Sequence, residues 1–289
     1  MGSIERVIQP IVKDLGDNFQ VRRSLPTKNK KMIGPFIFWD HMGPVELSPD
    51  RPMTVRAHPH IGLATITYLL SGQITHRDSL GNEQAIRPGE VNWMTAGSGI
   101  VHSERSDTTQ GAMRLEGIQL WLALPKEFES VDPNFFHGKE ADLPIVEKEG
   151  IQLRLIAGEA FAQKSPVPVF SDLFYINGKG KKGGSLKFVV EPGHESAVYI
   201  INGSLVAEGE IYRRFDMLIF KKGEPVNFAI DKDCEFMLFG GQTFAEDRHI
   251  WWNFVSTSRD KINKAKKDWR EGNFPKVINE TEWIPLPGE

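Results

Sequence analysis

Two short segments of the sequence carry metal-ligand residue types at the spacing of a β-strand. His58 and His60 are separated by one residue, and His102 and Glu104 are separated in the same way. Alternate side chains of a strand project from one face, so each pair presents two ligands in one direction. On neighbouring strands, the two pairs bring three imidazoles and one carboxylate around a single point. This donor set, which contains no sulfur, suits iron, manganese, nickel, copper or zinc.

A four-ligand site of this kind leaves coordination positions open to water or substrate, which favours catalysis over a purely structural role. We therefore predict that His58, His60, His102 and Glu104 bind a metal ion. Glu104 is also the predicted catalytic residue, because a carboxylate is ionised at neutral pH and is able to leave the ion and act as a base. The sequence shows no convincing nucleophile motif and no His–Asp pair that adjoins these residues.

The competing interpretation is that these histidines are structural. A lone His-x-His segment is weak evidence for a metal site, because structural histidines are common. Two such pairs beside glycine turns are stronger evidence: Gly62 follows the first pair, and Gly97 and Gly99 precede the second. The pattern as a whole favours the metal site.

The elements that must position these residues are predicted to be short strands. Between residues 55 and 124, runs of β-branched and aromatic residues alternate with turn signals at a spacing of roughly 8 to 12 residues, which is typical of an all-β barrel or sandwich. Near the end of the sequence, Ser258 is a good N-cap for a helix over residues 259–270. Ile262, Ala265 and Trp269 lie on one face of this helix, which indicates packing against the protein.

The two halves of the sequence resemble each other, and the resemblance predicts one metal site. Residues 65–72 and 196–203 are similar, and Gly72 aligns with Gly203, as Gly97 aligns with Gly223. This alignment places four other residues at the ligand positions: Val189, Glu191, Phe228 and Ile230. Only one of them is a metal-ligand type. We expect a metal-binding domain over residues 1–130 and a metal-free copy with a helical tail over residues 131–289.

Composition narrows the classes of protein that the chain belongs to. The 289 residues carry a net charge of −3, which gives no reason to expect direct nucleic-acid binding. The single cysteine, Cys234, excludes an intramolecular disulfide and a thiolate cluster and suits a reducing cytoplasm. The first residues lack the apolar run of a signal peptide, and no apolar stretch is long enough to span a membrane. The sequence predicts a cytoplasmic protein.

Several segments together resemble the pirin family of the cupin superfamily. They are AHPHIG at 57–62, YLLSG at 68–72, HRDSLG at 76–81, PG at 88–89 and WMTAGSGIVHSE at 93–104. General cupins carry a Glu a few residues after His-x-His, near Thr65 here, whereas pirins supply the carboxylate two residues after the third His, as Glu104 does. The amino-acid sequence of the first segment resembles that of bacterial family members more closely.

The resemblance implies a bicupin: two stacked antiparallel β-barrels followed by a helical tail. It implies iron, as Fe(II), in the N-terminal barrel, with manganese, nickel, copper or zinc as alternatives. The ligands carried over from the family motif are His58, His60, His102 and Glu104.

Three functions are compatible with this family. Some members are quercetin 2,3-dioxygenases, which open a flavonol ring with O2, and this implies a small aromatic substrate. A nuclear animal member is an iron-dependent transcriptional coregulator, which implies a redox-sensitive interaction protein with a protein partner. The third function is ligand binding without turnover. The absence of a nuclear localisation run disfavours the coregulator, and the dioxygenase is the leading prediction. Four apolar residues are candidates for a pocket wall or for core: Phe38, Trp39, Trp93 and Met94.

Overall fold

Runs of β-branched and aromatic residues between glycine turns make nearly all of the regular structure extended. The structure, a computed structural model, describes residues 2–15, 19–108 and 111–289. The first eleven strands are β1 (Ile4–Ile8), β2 (Ile11–Asp14), β3 (Gln20–Leu25), β4 (Phe36–Leu47), β5 (Thr54–His60), β6 (Leu63–Ser71), β7 (Ile74–Asp78), β8 (Glu83–Ile86), β9 (Val91–Thr95), β10 (Ile100–Ser106) and β11 (Met113–Ala123).

The second part of the chain is extended as well. Its strands are β12 (Asn134–Gly138), β13 (Ile145–Lys148), β14 (Ile151–Ala160), β15 (Gln163–Lys164), β16 (Leu173–Gly180), β17 (Ser185–Phe188), β18 (His194–Ala207), β19 (Glu210–Arg213), β20 (Met217–Phe220), β21 (Val226–Gln242), β22 (His249–Trp251) and β23 (Phe254–Ser256). Two short 3-10 helices, Lys126–Phe128 and Glu140–Asp142, and the helix α1 (Arg259–Arg270) complete the described elements. The all-β prediction is confirmed.

The chain divides into two compact units. Unit 1 comprises 1–11, 24–38 and 141–244, and unit 2 comprises 12–23, 39–140 and 245–289. Within the described ranges, the strands form open hydrogen-bonded sheets and not closed barrels.

Unit 2 contains the elements that carry the predicted ligands. A four-stranded sheet has the order β5-β10-β7-β8, and a seven-stranded sheet has the order β12-β9-β6-β11-β4-β3-β2. The inner faces of these two sheets contact each other through aromatic side chains, since the ring of His60 lies 5.2 Å from that of Trp121. The site is therefore enclosed between two sheets.

Unit 1 is built on one ten-stranded sheet and has an apolar core. Phe228 and Ile230, which the alignment places at two ligand positions, are 3% exposed and belong to this core. The alignment is wrong at the other two positions. Val189 is 75% exposed, and the buried neighbours are Phe188 and Val190. The pairing of His102 with His58 in unit 2 corresponds in unit 1 to the pairing of Phe228 with Leu186. Leu186 lies three residues before Val189, and it is again a buried apolar residue.

The predicted helix near the C-terminus is confirmed as α1, with Ser258 at the N-cap position and Glu271 at the C-cap. Ile262 and Ala265 are buried and pack with Phe254, and Trp269 packs partly against the same cluster. The Ser258 side chain makes no capping hydrogen bond. No helix in the described part of the chain has the length and apolar character needed to cross a membrane.

Candidate metal centre

Three of the four predicted ligands converge in unit 2. Strands β5 and β10 pair antiparallel with His58 directly opposite His102, and His60 follows two residues later on the same face of β5. The ring centroids are 4.3 Å apart for His58 and His102 and 5.0 Å apart for each of the other two combinations. One ring nitrogen of each histidine lies within 4.8 Å of the others, so the three can hold a metal ion.

Main-chain carbonyls fix the orientation of two of these rings. His58 Nδ1 is 2.9 Å from the carbonyl oxygen of Arg56, and His60 Nδ1 is 3.2 Å from that of Asn253. A carbonyl only accepts hydrogen bonds, so both Nδ1 atoms carry the proton. Both Nε2 atoms therefore present a lone pair, which is the arrangement that metal-binding histidines commonly have.

The third histidine completes the group through Nε2. His102 Nε2 lies 3.1 Å from His60 Nε2. Two nitrogens that are each about 2.1 Å from one ion are about 3.0 Å apart when they subtend roughly a right angle at the ion. The distance therefore fits two ligands of one ion. His102 Nδ1 is buried and has no hydrogen-bond partner within the described residues, unlike the Nδ1 atoms of the other two rings.

The protonation state of the three histidines also suits the binding of a cation. Burial lowers the pKa of His58 to about 4. Burial, followed by repulsion from the neighbouring imidazoles, lowers the pKa values of His60 and His102 well below the usual range. All three rings are therefore neutral at pH 7, which is the form that binds metals.

Glu104 shares the strand but is not part of the three-histidine group. It is 9% exposed and lies opposite His76 of β7. Burial raises its pKa to about 7, which a hydrogen bond with Thr67 opposes. Thr67 lies on β6 of the facing sheet and is itself hydrogen-bonded to Gln119, at 2.7 Å. Glu104 is thus a buried carboxyl group that changes charge near neutral pH.

A His–Asp pair adjoins the histidine group, so the expectation that there is none is wrong. His76 Nε2 lies 3.1 Å from Asp78 Oδ2, and both side chains are buried. The ring of His76 is 5.3 Å from that of His102 and stacks on Phe135 at 4.4 Å. His76 and Asp78 have the same one-residue spacing as the predicted ligands, and this signal was available in the sequence.

Hydrogen bonds from the turn after β7 fix the position of the Asp78 carboxylate. Its Oδ1 accepts hydrogen bonds from the main-chain N–H groups of Leu80, at 2.9 Å, and Asn82, at 3.1 Å, and the Asn82 amide donates to both oxygens. Although burial opposes it, hydrogen bonds from His76 and Asn82 keep the pKa of Asp78 below its usual value. The ionised carboxylate fixes the orientation of His76 beside the histidine group.

The four apolar candidates for a pocket wall, Phe38, Trp39, Trp93 and Met94, are all buried. Two further aromatic rings lie against histidines of the site, Trp121 against His60 and Phe135 against His76, and sequence reasoning missed both. Both lie on strands of the seven-stranded sheet, at positions far along the chain from the ligand motif. No local spacing connects them to it.

Comparison with known proteins agrees with this geometry. Sequence models described as Pirin and as Pirin C-terminal cupin domain match residues 18–122 and 175–275. A "Pirin-like protein" of Caulobacter vibrioides is 47% identical over 98% of this chain and 99% of its own length. A "Putative quercetin 2,3-dioxygenase" of Pseudomonas aeruginosa is 35% identical over 90% of this chain and 82% of its own length.

A solved structure supports the same relationship. The crystal structure titled quercetin 2,3-dioxygenase from Acinetobacter baumannii matches with a TM-score of 0.92 and 31% identity, over 98% of this chain and 95% of the other. The ligand motif, the strand-rich fold and these full-length matches agree, and the chain is a member of the pirin family.

Proposed function

We propose that the protein is an Fe(II)-dependent dioxygenase that opens the ring of a flavonol such as quercetin. The observation that carries the proposal is the convergence of three buried imidazoles, with the buried carboxyl group of Glu104 two residues after His102 on the same strand. The names of the Pseudomonas relative and the Acinetobacter structure support the choice of substrate. The metal is held by His58, His60 and His102, with Glu104 as the fourth ligand.

The donor set is compatible with iron and with several other first-row transition metals. Imidazole and carboxylate ligands suit Fe(II), and they also bind manganese, nickel, copper and zinc. A bound divalent ion would supply Lewis-acid stabilisation of a substrate oxygen that has lost its proton.

The residues of this chain supply the proton transfer and the orientation. Glu104 accepts the proton of the flavonol hydroxyl group that conjugates with the ring carbonyl, because an ionised carboxylate beside the metal ligands is able to act as a general base. The flat rings of Trp121 and Phe135 provide apolar surfaces for a planar ligand. In the overall reaction, both atoms of O2 enter the ring-opened ester and one ring carbon leaves as carbon monoxide.

A direct assay tests the proposal. The protein is stripped with a chelator, loaded with Fe(II) without oxygen, and mixed with quercetin and O2. We expect the flavonol absorbance to disappear and carbon monoxide to form in equal amounts, and we expect neither from the stripped protein.

The alternatives give different results in the same assay. A protein that binds Fe(II) stoichiometrically but leaves quercetin intact would contradict the dioxygenase proposal for this substrate and favour binding without turnover. A protein that binds no divalent metal would contradict the metal site itself.

A further inference from the structure

The C-terminal segment 277–286 covers the outer side of the two ligand-bearing strands. Val277 packs with Ala57 of β5 and Val101 of β10. Further along, Trp283 forms a parallel bridge with Ala57, and the main-chain N–H of Ile284 donates to the Ala57 carbonyl at 2.9 Å. The segment therefore contacts the residues that precede the ligands on both strands.

A β-bulge lies where the segment binds. His58 pairs with His102 and Val55 pairs with Glu104, so two residues of β5 face the single residue Ser103 of β10. Such bulges commonly redirect side chains at functional sites. The bulge residues are Arg56 and Ala57.

The carbonyl groups of the two bulge residues accept hydrogen bonds from groups on opposite sides of the sheet. The Arg56 carbonyl accepts the hydrogen bond from His58 Nδ1, inside the unit, at 2.9 Å. The Ala57 carbonyl accepts the hydrogen bond from Ile284, on the outer side, at 2.9 Å. Arg56 and Ala57 are consecutive residues. The hydrogen bond that orients the His58 ring and the one that binds the C-terminal segment are therefore made by neighbouring carbonyl groups.

Glu280 makes the corresponding contact on β10. Its carboxylate accepts hydrogen bonds at 2.9 Å from Ser103 Oγ and at 2.9 Å from Arg105 Nε, and a further one from Arg105 Nη2. Arg77 of β7 lies 3.8 Å away. The side chain of Glu280 is 4% exposed, and the hydrogen bonds from Arg105 hold its pKa below the usual range. Ser103 and Arg105 alternate with the inward-facing His102 and Glu104.

We propose that segment 277–286 is a positioning element of the metal centre, with Glu280 and Ile284 as its positioning residues. Glu280 fixes β10 through Ser103, which lies between the two ligands, and through Arg105, which follows them. Ile284 fixes β5 through the bulge residue Ala57. Metal binding and docking of the segment are then coupled, and each strengthens the other by the same factor. This inference rests on the metal site of the proposed function.

The test compares Co(II) binding by the unaltered protein and two variants that each lose one negative charge. Glu280→Gln removes the buried charge, and Glu224→Gln removes an exposed charge in unit 1. We expect Glu280→Gln to weaken Co(II) binding about tenfold in competition with a chelator, as changes to groups that support metal ligands do, and to alter the visible Co(II) spectrum. Glu224→Gln should match the unaltered protein in both measurements.

A second variant and a second measurement cover the case in which Glu280→Gln does not fold. Ser103→Ala removes one hydrogen bond to Glu280 and leaves the ion pair with Arg105 in place, and we expect the same direction of change at a smaller size. By reciprocity, Zn(II) should slow hydrogen exchange of the Ile284 amide in the unaltered protein.

The outcomes separate this inference from the proposed function. Folded Glu280→Gln and Ser103→Ala variants with unchanged Co(II) affinity and spectra would overturn the positioning role and leave the metal site standing. Exchange at Ile284 that is insensitive to Zn(II) would also overturn it. An unaltered protein that binds neither Co(II) nor Zn(II) would overturn the metal site, and the positioning role with it.

Discussion

His60 and His102 face each other across the candidate metal centre, with their Nε2 atoms 3.1 Å apart. Since His60 Nδ1 carries the proton of its own ring, the donor between these two atoms is His102 Nε2. An ion between the rings would use a lone pair of each Nε2 atom. The two rings therefore lie at a distance that suits two ligands of one ion.

The first prediction concerns this pair. His60→Ala should lower the affinity for Co(II) by more than about 100-fold, since loss of a direct ligand exceeds the effect of an outer-shell change. His194→Ala, which removes a half-buried histidine of unit 1, is the control and should bind as the unaltered protein does. Chelator competition measures both. Equal affinity for the two variants would contradict the assignment of His60.

The second prediction separates the two roles of Glu104. Glu104→Gln keeps the size of the side chain and removes the base, so the turnover rate per bound iron should fall by about 100-fold or more. Glu83→Gln, an exposed carboxylate on β8 of the same sheet, should have no effect. Iron content and quercetin consumption are measured on the same samples. A loss of activity that merely follows the loss of iron would make Glu104 a ligand only.

The third prediction is a pH dependence of the metal-free protein. Burial raises the pKa of Glu104 from 4.5 to about 7, so the folded state holds this proton more tightly than the unfolded state does. The associated stability is fully present below pH 4.5 and is lost as the pH rises to about 7. At 1.36 kcal/mol per pKa unit, the contribution of Glu104 to the free energy of unfolding falls by about 3 kcal/mol over this range.

Urea unfolding in the presence of a chelator measures this change, with Glu104→Gln as the reference, because glutamine does not titrate. The difference in the free energy of unfolding between the two proteins should vary with pH between 4.5 and 7. A constant difference would show that Glu104 titrates at an ordinary pKa.

The fourth prediction concerns the turn that follows the first ligand pair. Gly62 has φ +69°, and a Cβ atom there would lie 1.9 Å from the carbonyl oxygen of Val255. Gly272 has φ +72°, and a Cβ atom there would meet nothing within 4 Å. Gly272→Ala should cost about 1–2 kcal/mol of backbone strain. Gly62→Ala should cost at least about 2 kcal/mol more, because the collision adds to the strain. Urea unfolding of both variants tests this, and equal losses would rule out the collision.

The fifth prediction concerns Asp78. Asp78→Ala removes the acceptor of the Leu80 and Asn82 N–H groups, at a cost of about 0.5–1.5 kcal/mol for each hydrogen bond. Asp78→Asn keeps an acceptor oxygen and should cost less than the alanine variant. Thermal unfolding ranks the two. An asparagine variant that is as unstable as the alanine variant would show that the charge on Asp78, and not its acceptor oxygens, stabilises the turn.

Local periodicity explains what the sequence could predict. His58, His60 and His102 were predictable as one cluster because the two-residue period of a strand is a property of neighbouring residues. The helix α1 was predictable for the same reason, from its N-cap and its apolar face. The spacing of His76 and Asp78 carried the same signal as the ligands.

The rest of the site depends on contacts between distant residues. The acceptor for His60 Nδ1 is the carbonyl of Asn253, 193 positions away, and any residue type presents such a carbonyl. Trp121 and Phe135 reach the site through strand pairing in the seven-stranded sheet. In unit 1, the alignment was wrong by three residues at Val189, because the connection between β17 and β18 is longer than the one between β5 and β6.

The apolar core of unit 1 limits which amino-acid substitutions this unit tolerates. Phe228 lies edge-on to Phe236 at 5.0 Å and pairs across the sheet with Leu186, as His102 pairs with His58. A single replacement of Phe228 by histidine would bury an imidazole without a hydrogen-bond partner, which is costly until other ligands are present. A metal centre in unit 1 would therefore require several replacements at once, because each one alone destabilises the apolar core.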